Sequence, residues 1–130
     1  MQTRLKVLIV EDDRAMAQMC AKLIRRRGHS AAIASSSNAA LDVVRNDGSI
    51  DIVISDIQMP EIGGIQLISL LRAINEKLPI VLMTGYANLV NAAEGAALGA
   101  TDCIMKPFDP ETFLGTLEQA ARSRHKVAHS

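Results

Sequence analysis

Five short apolar runs, rich in β-branched residues, punctuate the chain: LKVLIV (5–10), SAAIA (30–34), IDIVIS (50–55), PIVLM (79–83) and DCIM (102–105). Each is followed by a segment with helical patterning. That alternation predicts an α/β domain with a parallel sheet, because parallel neighbours need crossover helices and those helices cover both faces. Runs one, three and four are continuously apolar, the pattern of strands buried on both sides.

The helical segments carry their own start and stop signals. MAQMCAKLI has apolar residues at 16, 19, 20, 23 and 24, one face of a helix, and it runs into Arg27-Gly28, basic residues followed by a C-terminal glycine. NAALDVVR follows Ser36 and Ser37, either of which can cap it, and stops at Asp47-Gly48. GIQLISLLRAI follows the Gly63-Gly64 turn. The last helix starts at Asp109-Pro110-Glu111: a capping aspartate, a proline in the first turn and an acid at the positive dipole end. The segment NLVNAAEGAALG (88–99) is the weakest, since Gly95 interrupts it and its alanines offer little apolar area.

At 130 residues the chain is expected to form one domain over 1–122, with 123–130 as a basic tail or the start of a linker. Fourteen basic residues balance fourteen acidic ones, so no net field favours nucleic acid or an anionic membrane surface. The opening MQTRLKVLIVEDD meets three acids too soon for a signal sequence or a membrane span. Cys20 and Cys103 lack metal-ligand spacing and fit a reduced compartment. A soluble, cytoplasmic domain is expected. Met59, Met83 and Met105 read as core fillers, and His125 and His129 as solvated tail residues.

In an open parallel sheet, ligands bind beyond the carboxyl ends of the strands. There the first run delivers Glu11, Asp12 and Asp13; the second, Ala34 and serines; the third, Asp56; the fourth, Thr84; the fifth, Lys106 before Pro107. Asp56 taken alone is an ordinary turn residue, and Asp12 or Asp13 can also cap the first helix. Together, however, like charges about 4 Å apart repel by roughly 4 kcal/mol at a surface dielectric, so either one carboxyl is protonated or a cation sits among them. Carboxylates open to water suit Mg2+ with a phosphate partner, Lys106 suits a phosphoryl oxygen, and Thr84 offers a hydroxyl. The set suggests a metal, a phosphoryl group and an oxygen nucleophile.

The pieces VLIVEDD, VISDIQMPEIGG, VLMTGYA and GATDCIMKPFD, in this order and spacing, resemble the response-regulator receiver domains of two-component signalling, the CheY-like family, over about residues 5–122. The resemblance implies a flavodoxin-like (βα)5 fold, a doubly wound five-stranded parallel sheet in strand order 2-1-3-4-5. It implies Asp56 as phosphoacceptor, with Mg2+ (or Mn2+ in its place) held by Asp12, Asp56 and the backbone carbonyl of Gln58, and by Glu11 through water. Thr84 and Lys106 would bind and sense the phosphoryl group, Gln58 and Tyr86 would tune its hydrolysis, and the Lys106–Pro107 peptide would be cis. The implied partners are a histidine kinase or histidine phosphotransfer protein and an unspecified output domain or target. A phosphorylation-dependent dimer is compatible with the resemblance. No nucleic-acid contact by the domain itself, no membrane contact and no turnover substrate are expected.

Two positions depart from the family pattern. Cys103 stands three residues before the lysine, where receivers usually carry an aromatic that moves with the threonine to alter the face made by the Ala-rich helix, the fifth strand and the last helix. Gly63 stands where an aspartate is common. A degenerate receiver that docks without phosphorylation is the alternative reading. A haloacid-dehalogenase-like phosphatase is a further one, although its nucleophile would belong at the end of the first strand in an Asp-x-Asp pattern, and here that strand ends Glu-Asp-Asp.

Overall fold

The computed structural model describes residues 4–59, 62–85 and 96–123. Its strands are β1 (Lys6–Val10), β2 (Ser30–Ala34), β3 (Ile52–Asp56), β4 (Ile80–Thr84) and β5 (Asp102–Met105). Its helices, among the described residues, are α1 (Arg14–Arg26), α2 (Ser37–Asn46), α3 (Gly64–Ile74) and α4 (Pro110–Ser123). All strand pairs are parallel, in the order β2-β1-β3-β4-β5. The parallel sheet is the one expected from the alternation of runs, and its order is the doubly wound, flavodoxin-like one that the family resemblance implies.

Side chains on successive residues of a strand point to opposite faces, and this divides the core in two. Val7 and Ile9 join Cys20, Ile24, Phe113 and Leu117 under α1 and α4. Leu8 and Val10 join Leu41, Val44, Leu67 and Leu71 under α2 and α3. Each fully buried aliphatic side chain contributes roughly 1.5–3 kcal/mol, so the central strands supply much of the driving force. The edge strands contribute less. In β5 only Ile104 is buried. Met83 is in the core under α1 and α4 as expected and Met59 packs against the core under α2 and α3, but Met105 is 43% exposed, a correction to its reading as a core filler. The reason is its place on a strand with one neighbour only among the described residues.

Local signals set the boundaries. Asp13 caps α1, its carboxylate accepting from the Met16 N–H at 3.2 Å, and Ser36 rather than Ser37 caps α2 through the Ala39 N–H at 3.1 Å. Ser37 instead donates to the Ile62 carbonyl at 2.6 Å. Gly28, with φ +96°, takes the chain out of α1 in the left-handed region that glycine adopts without strain. Asp109 accepts from the Thr112 N–H at 2.8 Å at the start of α4. Gly63 precedes α3 without any side-chain cap. Most of the Ala-rich segment, Tyr86, and the tail with His125 and His129 lie outside the described residues. Among those described, no helix is long and apolar enough to cross a membrane.

Candidate functional site

The register of the sheet carries the polar strand ends to one edge. Val10 pairs with Ser55, so Glu11 emerges beside Asp56. Asp56 pairs with Met83, and Thr84 with Met105, which brings Lys106 alongside the same edge. The Glu11 N–H donates to the Ala34 carbonyl at 3.1 Å and the Lys106 N–H to the Thr84 carbonyl at 2.7 Å, so both residues continue the ladder past the last strand pair. The Lys106–Pro107 peptide is cis.

One ammonium bridges two carboxylates here. Lys106 Nζ lies 3.0 Å from Asp56 Oδ2 and 3.1 Å from Glu11 Oε1. Glu11 is buried, Asp56 is half-buried and Asp12 is exposed, and carboxylate oxygens of all three lie within 4.8 Å of one another. The other oxygens are held by backbone: Glu11 Oε2 accepts from the Asp13 N–H at 3.2 Å and Asp56 Oδ1 from the Gln58 N–H at 3.0 Å.

The crowding changes the proton affinities. Burial, and then the adjacent Asp56 carboxylate, push the Glu11 carboxyl up to about 7, against the opposing pull of the Asp13 N–H and Lys106. Burial works against the Lys106 charge, but its bonds to Asp56 and Glu11 outweigh that and hold it above the ordinary lysine value. With all three acids ionised, the single lysine leaves two negative charges uncompensated. A small divalent ion would balance them, and an all-oxygen, partly solvated donor set fits Mg2+.

The remaining residues flank this cluster. Thr84 is fully buried and donates its hydroxyl to the Gly85 carbonyl at 3.1 Å. Cys103 is exposed on β5, and its N–H donates to Asp102 Oδ1 at 2.8 Å. Glu11 and Asp12 also line a pocket of about 450 Å3 with Arg14, Gln18, Ile33 and Ser35. Ser35 was legible as the residue after the second run. Arg14 and Gln18 had no local signal, since only the docking of α1 beside the end of β2 brings them to the pocket that Glu11 and Asp12 line.

Residues 7–118 match the response regulator receiver domain family. The chain is 33% identical over 121 residues to the transcriptional regulatory protein ZraR of Escherichia coli (strain K12), which covers 93% of this chain and 27% of that protein. It is 37% identical over 116 residues to the response regulator protein FleR of Pseudomonas aeruginosa, covering 89% of this chain and 24% of that one. The chain therefore spans about a quarter of the length of these two regulators. Among solved structures, the chemotaxis response regulator CheY4 of Vibrio cholerae aligns with a TM-score of 0.83 at 32% identity, covering 91% of this chain and 99% of that one. With the strand order, the acidic edge and the family match in agreement, the chain belongs to the response regulator receiver domain family of bacterial two-component systems.

Proposed function

We propose that this chain is a phosphoryl-accepting switch in which Asp56 takes a phosphoryl group from the phosphohistidine of a histidine kinase or histidine phosphotransfer protein. The observation that carries this reading is the Lys106 ammonium shared between Asp56 and Glu11 at 3.0 and 3.1 Å, on the sheet edge where Asp12 joins them. A structural ion pair needs one partner for each charge. This one has an excess of acids around a single cation, on the open edge of the fold.

An Asp56 carboxylate oxygen attacks the phosphorus, an O–P bond forms, and the donor's P–N bond breaks with its electron pair returning to the imidazole. Asp12, Asp56 and the Gln58 carbonyl would hold Mg2+, with Glu11 acting through water. The ion supplies charge neutralisation for the phosphoryl oxygens. Lys106 is already beside the nucleophile and exchanges a carboxylate oxygen for a phosphoryl oxygen as the charge moves outwards. Thr84 gives up a weak local bond to Gly85 to donate to another. The new group adds about −1.5 to −2 charges, enough to bias a pre-existing equilibrium between two states of the domain. Later, water attacks the phosphorus, the O–P bond breaks and inorganic phosphate leaves. Gln58 and Tyr86 would tune that rate.

With Cys103 exposed in place of an aromatic, the output falls mainly to Thr84 and the segment containing Tyr86. If a Cys103→Tyr variant bound its partner like the wild type, that position would have no special role. The domain would occupy 1–122, with 123–130 as a basic tail or the start of a linker, act in the cytoplasm, and have no turnover substrate of its own. Mass spectrometry after incubation with acetyl phosphate and Mg2+ tests the reading. An EDTA-sensitive adduct on Asp56, absent from Asp56→Asn, is expected. No adduct in a folded, Mg2+-binding protein would instead favour the phosphorylation-independent docking module.

A further inference from the structure

The position of Lys106 depends on β5, and β5 has little packing of its own. It is four residues long, only Ile104 is buried, and among the described residues its one strand neighbour is β4. Beyond its four-residue ladder with β4, what aligns it acts at its ends. At the far end from the acidic edge, an arginine from another layer does so. Arg72, near the end of α3, directs its guanidinium at backbone carbonyls on two sides. Nε and Nη2 donate to Gly99 at 3.1 and 2.6 Å, while Nη1 reaches Leu78 at 2.5 Å and Glu76 at 3.3 Å.

Arg72 has no carboxylate within ion-pair distance among the described residues, so the carbonyls are its charge partners. Burial alone lowers its guanidinium to about 10. A planar fork can bond two backbone segments at once, whereas a lysine is a single point of charge. Gly99 is shaped to receive it. Its φ is +113°, and a Cβ there would lie 3.0 Å from Arg72 Nε. Immediately after this turn Thr101 is latched to β4 twice, its N–H donating to the Ile80 carbonyl at 2.7 Å and its Oγ1 accepting from the Ile80 N–H at 3.0 Å.

We propose that Arg72 is a positioning residue for Lys106. By clamping the Gly99 turn onto the end of α3, it holds β5 in register against β4 and thereby sets the place of the ammonium at the other end of the strand. The strand between the turn and the lysine is itself about 13 Å long, at about 3.3 Å per strand residue. The role rests on the reading of Lys106 as the phosphoryl-facing cation. It does not involve the Mg2+ donors, which belong to β1, β3 and the loops that follow them.

Arg72→Met and the milder Arg72→Lys separate this role from general stability. In Arg72→Met, hydrogen exchange of the Thr101 and Lys106 amides should quicken about tenfold or more relative to β1 and β3, with Arg72→Lys in between. Adduct formation from acetyl phosphate should slow by about tenfold in Arg72→Met, while Mg2+ affinity, read by titration without phosphodonor, should not weaken. Exchange that is unchanged, or that rises equally in every strand, overturns the proposal. So does local loosening with an unaltered adduct rate, or a loss of Mg2+ affinity in step with the adduct. Should the wild type form no adduct, the phosphoryl-accepting reading fails instead, and the exchange pattern still decides whether Arg72 holds β5 in place.

Discussion

The two ends of the sheet each bury a glutamate beside a cation, and they treat it in opposite ways. At the end where the strands begin, Glu118 of α4 is surrounded by donors: Arg27 Nε at 3.2 Å, Arg27 Nη2 at 3.1 Å and His29 Nε2 at 2.7 Å. His29 Nδ1 accepts from the Leu5 N–H at 3.0 Å, so the ring proton is on Nε2 and points at the carboxylate. Burial would raise the Glu118 carboxyl, but these bonds outweigh it and the group lies below its usual range. At the other end Glu11 shares one lysine with Asp56, and burial with that neighbour raises it to about 7. A buried carboxylate with donors enough for its oxygens is structural. One that competes for its cation is unfinished, and the missing charge must come from a proton or a bound ion.

The largest effect expected from breaking this contrast is at Lys106. Lys106→Met should slow adduct formation by ~10²–10³-fold, the scale of losing one preorganised charge contact, while tightening Mg2+ binding because a competing cation has gone. A variant with full activity would remove Lys106 from the chemistry.

Next comes Glu118→Gln, which leaves Arg27 only its longer, exposed contact with Glu111 at 3.7 Å and should cost about 2 kcal/mol in urea unfolding. The same substitution at the opposite end should have the opposite sign. In EDTA, Glu11→Gln should gain about 1 kcal/mol, because a buried, poorly compensated charge is replaced by a neutral amide of the same shape. If both variants lose stability equally, the contrast between the two ends is wrong.

The last effect is on pH dependence. Glu118 is lowered on folding, so its contribution is present above the unfolded value of about 4.3 and is lost as pH falls through its folded value. Glu11 is raised, so the folded chain keeps a proton that the unfolded chain has released. Stability without Mg2+ therefore declines as pH rises from about 4.3 towards 7, and the penalty stands above that. Denaturation at about pH 5 and about pH 8 should show this decline in the wild type and lose it in Glu11→Gln.

Much of the fold was legible because its causes are local. The runs at 30–34 and 102–105 are β2 and β5 without adjustment, and GIQLISLLRAI is α3 residue for residue. Asp109 and Gly28 act at helix ends through contacts within a few residues, which patterns can carry. The strand-end rule also put Glu11, Asp56 and Lys106 on one edge. The methionines were not equally legible, because apolar spacing cannot tell a central strand from an edge, and Met105 fell on the edge.

What the sequence by itself determined is the inventory: the alternation that compels a parallel sheet, and the acids, threonine and lysine at the ends of its strands. Tertiary structure decided the pairings. Glu118 meets His29 across 89 residues, Lys106 meets Glu11 across 95, and Arg72 reaches Gly99 across 27. Side chains so far apart in sequence carry no local pattern. Which acid is satisfied and which remains open to a cation follows from how many donors packing brings within about 3 Å of each oxygen.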